Sequence, residues 1–143
     1  MTPVYSILHH VSKKATQRWG HHLVSIVLFG SLARGAAHQY SDIDLLFVVE
    51  KLPAGWRERG ALELSFERLG FDWGKPLQVI LVEPAEIRQA VDTIMPLLLE
   101  IHGGYRCLLD RDEFFQNEMK RLEGILVARG VRKLAEHKWE VPA

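Results

Sequence analysis

Asp42 and Asp44 stand one residue apart at the head of an apolar run, in "SDIDLLFVVE" (Ser41–Glu50). In an extended strand alternate side chains share a face. Asp42, Asp44 and Leu46 therefore point one way, and Ile43, Leu45 and Phe47 the other. The apolar set can anchor the strand in a core while the carboxylates project together. Two like charges so close are costly unless a cation lies between them. The spacing suits two oxygen ligands on one hard cation, and magnesium is typically held by one or two carboxylates plus substrate phosphates. Gly30 and Ser31, separated from Asp42 by ten residues, close another apolar run, "LVSIVLF" (Leu23–Phe29). Gly30 lets a ligand approach the backbone closely. Ser31 offers a hydroxyl and an N–H at the start of a helical turn, an arrangement that favours anions. Arg34 can reach a phosphate oxygen. One segment thus reads as a phosphate cradle and the next as a metal site. Alone, each half is ordinary: Gly-Ser before a loop is common, and Ser41–Asp42 can open a turn. The restrictive feature is their combination.

The flanking sequence supplies elements to position these groups. Met1–Gly20 predicts a helix, capped by Thr2 and Pro3, with Val4, Ile7, Leu8, Val11, Ala15 and Trp19 on one face. Strands are expected at 23–29, 42–49 and 77–82, with a shorter one in "YRCLLD". Further helices are expected from Pro53 to about Leu69, with Ala61, Leu62, Ser65, Phe66 and Leu69 inward, and over 83–90. A new helix begins at Pro96 and stops at Gly103–Gly104, and a last one runs from Arg111 to about Arg129. Helices interspersed with three or four strands give an α/β or α+β two-layer domain. We read 1–143 as one domain, with a core over about 1–110 and a C-terminal helix and tail over about 111–143.

Composition narrows the function classes. The chain has 143 residues, enough for a core without staples. Lys plus Arg equals Asp plus Glu at 18 each, which argues against a general nucleic-acid binder. Cys107 is the single cysteine, excluding an internal disulfide and a cysteine zinc cluster. The absence of a membrane-length apolar run or a secretion-signal stretch makes the cytoplasm the expected location. The histidine pairs His9–His10 and His21–His22 read as surface or boundary residues. His38 and Tyr40, in the loop between cradle and metal strand, are candidates to contact a base or ribose, against the plainer reading of loop residues. Trp56 and Trp73 read as partial core, and Arg129, Arg132 and Lys133 as a solvated helix end.

The stretch "FGSLARGAAHQYSDIDLLFVV" (Phe29–Val49) closely resembles the signature of the DNA polymerase β-like nucleotidyltransferase superfamily, and the length its small branch, the minimal nucleotidyltransferases. The resemblance implies a nucleotidyltransferase fold, a mixed sheet flanked by helices. It also implies binding of a nucleoside triphosphate (ATP) with magnesium, or manganese in its place, and transfer of a nucleoside monophosphate to an acceptor. Gly30 and Ser31 would then hold the triphosphate, and Asp42 and Asp44 the metal. Small members pair with helical nucleotide-binding partner proteins, sometimes as antitoxins modifying a toxin, so a partner protein is an implied acceptor.

The family's third carboxylate, on a later strand, falls at Gln78 in "GKPLQVILVEPAEI". An amide can offer a neutral oxygen to a metal, but it is no base and brings no charge. Losing a positioned base typically costs ~10²–10⁴ in rate. Glu83 lies at odd offset and should face away from the site, and Asp72 precedes the strand. Gln78 therefore keeps a second class open beside the enzyme: a catalytically impaired nucleotide-binding or partner-masking module. A small-molecule modifier is a third reading, disfavoured because no obvious acceptor-binding domain follows the core.

Overall fold

The computed structural model describes residues 3–35, 42–135, 138–140 and 142; His38 and Tyr40 lie outside them. Helix α1 (Pro3–Trp19) leads through a short 3₁₀ turn (Gly20–His22) into β1 (Leu23–Phe29), which runs directly into the single-turn helix α2 (Gly30–Ala33). Then follow β2 (Ile43–Val49), α3 (Trp56–Glu67), a 3₁₀ segment (Arg68–Trp73), β3 (Leu77–Val82), α4 (Pro84–Asp92), α5 (Pro96–His102) and β4 (Arg106–Asp110). A 3₁₀ turn (Arg111–Glu113) precedes α6 (Phe114–Arg129), and a small hairpin of β5 (Arg132–Ala135) and β6 (Lys138–Glu140) follows it. The hairpin occupies the tail that sequence periodicity leaves unassigned.

The main sheet has the order β3-β2-β1-β4. Strand β1 is antiparallel to both neighbours, whereas β2 and β3 are parallel, so the sheet is mixed. One face carries Ile43, Leu45, Phe47, Leu77, Val79 and Leu81, buried under Ile7, Leu8 and Val11 of α1 and Phe66 of α3. Trp19 completes that core, stacked on Phe66 and edge-on to Phe47. On the other face Leu46 and Val48 are buried with α4, α5 and α6. Among the described residues no helix is long and apolar enough to cross a membrane.

The buried Ser25 of β1 donates its hydroxyl to Asp110 Oδ1 at 2.6 Å. The same carboxylate accepts the Phe115 and Gln116 N–H groups at the start of α6, joining β1, β4 and α6 at one point. Helix α3 starts three residues later than Pro53, and two of its expected inward positions, Ala61 and Ser65, are exposed. The reason lies in what the helix covers. It runs along the edge of β3, and Glu63 and Glu67 accept the strand's outward Leu81 and Val79 N–H groups, each at 2.9 Å. Edge-strand donors must find partners or be blocked, so carboxylates take positions that an apolar pattern would give to core residues. Trp56 likewise is 78% exposed rather than partly buried.

Helix α4 ends in an unusual way. Met95 N donates to Ala90 O at 2.8 Å and Ile94 N to Val91 O at 3.1 Å, a paired closure that normally places Gly in the left-handed position. Here that position is Ile94, at φ +52°. A β-branched residue there stores about 1–3 kcal/mol of strain.

The edge cover is testable. Glu63→Leu combined with Glu67→Leu should destabilise the protein by about 1–3 kcal/mol for each orphaned N–H, read as a lowered urea midpoint. Glu63→Gln with Glu67→Gln, which keeps both acceptors, should lose far less.

Candidate active site

The site forms at one end of the sheet because two registers meet there. In the antiparallel ladder the last pair joins Phe29 to Asp44, and the chain leaves the sheet at Gly30. In the parallel ladder Asp44 pairs with Gln78. Gly30, Ser31, Asp42, Asp44 and Gln78 are therefore brought to one sheet end, with β1 on one side and β3 on the other.

Gly30 has φ +77°, and a Cβ there would collide with the Asp44 carboxylate. Sequence reasoning assigned the missing side chain to a phosphate, but the structure shows an intramolecular need first: Asp44 occupies the space. Beyond Gly30 the α2 turn is closed by Arg34 N donating to Gly30 O at 3.2 Å. Burial pushes the Asp44 carboxyl up from its ordinary value, Asp42 adds to the shift, and the Arg34 guanidinium opposes it. Arg34 thus acts as a local countercharge to Asp44.

What positions Arg34 was not legible in advance. A Cβ on Gly104 would come within 2.6 Å of Arg34 Cγ, so the side chain lies against the turn after α5. Gly103–Gly104 reads in sequence only as a helix stop. A second glycine where one suffices is the sole signal of a close approach.

Gln78 lies where the resemblance places the third carboxylate. Its Nε2 donates to Asp42 Oδ2 at 3.2 Å. Glu83 is no substitute: it sits past the far end of β3, accepts the Leu52 N–H at 2.9 Å and forms a reciprocal capping box with Glu86 at the start of α4. Asp72 is exposed in the 3₁₀ segment before β3. Burial and then Asp110 push the Cys107 thiol on β4 up to about 12, which disfavours its thiolate form.

The donor set can be tested against a metal. Burial and the Asp42 carboxylate raise the cost of charging Asp44, and a cation would relieve that cost. Among the described residues no group of three or more His, Cys, Asp or Glu side chains converges. Two carboxylates and one amide fit a magnesium ion that arrives with phosphate oxygens, rather than a closed all-protein cage.

The family described as the nucleotidyltransferase domain matches residues 8–101, spanning both the cradle and Gln78. The chain belongs to that family. Over 123 residues this nucleotidyltransferase is 37% identical to "Putative protein adenylyltransferase MJ1305" of Methanocaldococcus jannaschii, covering 85% of this chain and 82% of the relative. Two solved structures share its fold. One is described as a toxin-antitoxin with AMP-PNP, at TM-score 0.54 and 19% identity, with 85% of this chain and 91% of that one covered. The other is described as a tri-AMPylated Shewanella oneidensis HEPN toxin in complex with MNT antitoxin, at TM-score 0.50 and 15% identity, with 87% and 92% covered.

The electrostatics of Asp44 give a signed expectation. A carboxyl whose folded value lies above its unfolded one costs the native state nothing while both forms are protonated. Native stability then falls as pH rises through the folded value. Asp44→Asn in chelator should therefore melt higher than the parent near neutral pH. The gain should shrink to nothing near pH ~3, below the carboxylate range. Melting curves across pH check this.

Proposed function

We propose that this nucleotidyltransferase transfers a nucleoside monophosphate, AMP from ATP, to a hydroxyl on a partner protein with the help of magnesium. The carrying observation is the convergence of Asp42 and Asp44 beside the Gly30–Ser31 turn, with Gln78 opposite. The Methanocaldococcus relative, named a putative protein adenylyltransferase, and the two structures, one with AMP-PNP and one with an AMPylated toxin, support the choice of nucleotide and acceptor class.

In this reading Gly30 and Ser31 present backbone and hydroxyl groups to the triphosphate, and Arg34 reaches its oxygens from beside Asp44. Asp42 and Asp44 would hold the metal. When bound, it neutralises charge on the phosphates and helps orient them. The acceptor oxygen forms a bond to the α-phosphorus, the bond to the bridging oxygen breaks, and pyrophosphate leaves. Gln78 can orient the acceptor by hydrogen bonding, but its amide takes no proton. The hydroxyl proton passes to water or to a base on the acceptor. Positioning supplies most of the rate.

A second reading has its own observation. The Gln78 amide donates to Asp42 and supplies no carboxylate. This favours a nucleotide-binding or partner-masking module that transfers slowly or not at all.

Asp42→Asn with Asp44→Asn decides whether the site is placed correctly. The double variant should keep its circular dichroism spectrum and lose magnesium-dependent binding of a non-hydrolysable ATP analogue by calorimetry. Any AMP transfer from α-labelled ATP should fall by more than about 10²-fold. Unchanged metal-dependent binding would overturn the assignment. Binding that depends on both aspartates, without transfer by the parent to any acceptor, would favour the second reading.

A further inference from the structure

Asp44 shares its face of β2 with Leu46, Asp42 lies just ahead of the strand within reach of Gln78, and Gln78 shares its face of β3 with Ile80. The parallel register pairs Asp44 with Gln78 and Leu46 with Ile80. One step along the same sheet face, roughly 6.6 Å at strand rise, the surface changes from polar to apolar. There a cleft of about 290 Å³ opens between β3, α4 and α5. Leu46, Ile80, Ala90, Met95 and Leu97 line it, and the one charged lining residue, Glu86, is held in a two-contact ion pair with Arg59. A volume below the usual range for whole small-molecule ligands suits one large side chain.

Sheet order says which reactant faces this cleft. The order β3-β2-β1-β4 puts the Gly30–Ser31 turn on the β1 side of the carboxylates and the cleft on the β3 side. In phosphoryl transfer the attacking and leaving oxygens lie roughly in line on opposite sides of phosphorus. With the triphosphate tail toward β1, the acceptor enters from β3. At the α4–α5 elbow the left-handed Ile94 is followed by Met95, which is 46% exposed and lines the cleft.

We propose that this cleft seats an apolar or aromatic side chain of the acceptor protein, two residues from the modified hydroxyl in an extended segment. The proposal rests on the nucleotidyl-transfer reading above. Two positions along an extended chain span the same distance as Asp44 to Leu46, so the hydroxyl lies at the carboxylates while its neighbour fills the cleft. An acidic neighbour would lose this burial and face Glu86.

The test uses the full-length protein saturated with magnesium and a non-hydrolysable ATP analogue, its methionine methyls labelled with carbon-13. One short peptide carries a serine with phenylalanine two residues to either side; its control carries aspartate there. The Met95 methyl resonance, assigned with Met95→Leu, should shift with the phenylalanine peptide and not with the control. Met95→Glu should weaken the phenylalanine peptide about tenfold, the scale of one buried large side chain, and leave analogue affinity unchanged. Equal responses to both peptides, no response to either, or a Met95 shift caused by the nucleotide alone would overturn the proposal. Label transfer from α-labelled ATP to the serine is measured separately. Transfer with a silent Met95 removes the cleft and keeps the transferase reading, whereas a Met95 response without nucleotide binding at Asp42 and Asp44 removes the transferase reading.

Discussion

The site depends on a repulsion. A core that buries Ile43, Leu45 and Phe47 on the opposite side holds Asp44 on its face of β2, and Asp42, just ahead of the strand, lies close enough to repel it. Burial and the neighbouring carboxylate both make Asp44 hard to charge, and Arg34 offsets only part of that. The surrounding features follow from tolerating this pair. Gly30 must lack a side chain because the Asp44 carboxylate fills its place, and Gly104 must lack one so that Arg34 can lie nearby. A fold that keeps two unrelieved like charges gains from a bound cation, which is how local strain and ligand binding become coupled.

Much of this was legible in the sequence. The side-chain period of two placed Asp42 and Asp44 on one face, and the apolar runs around them gave β1, β2 and β3 within a residue. The resemblance pointed to Gln78 as the position facing the aspartates, and the parallel register pairs it with Asp44. Glu83, at odd offset, was correctly set aside and proves to cap α4. What failed did so for tertiary reasons. Ala61 and Ser65 belong to a helix whose inner side serves a sheet edge, and Glu63 and Glu67 do work that an apolar count cannot see. The Gly104–Arg34 contact joins residues seventy apart, and no local pattern encodes it. Strand order was invisible too, although the proposed direction of acceptor entry rests on it.

Gln78 gives the cluster an amide where the resemblance implies a carboxylate. A carboxylate there would add a third negative charge to a pair already in conflict, whereas the amide gives Asp42 a hydrogen bond in the absence of metal. The amide exchanges base strength for a less repulsive cluster. On the proposed reading proton removal falls to water or the acceptor, and Asp42 and Asp44 would still hold the metal.

The central claim is that Gln78 faces the two carboxylates proposed to hold the metal and stands where the resemblance implies a base. Gln78→Asp tests it most directly, by single-turnover transfer rates and melting curves with magnesium and in chelator. On this account the variant melts below the parent in chelator, recovers stability with magnesium, and transfers AMP to a competent acceptor faster, by up to the ~10²–10⁴ of a restored base. A variant with no magnesium-linked recovery, or a parent already fast and slowed by the change, would contradict it.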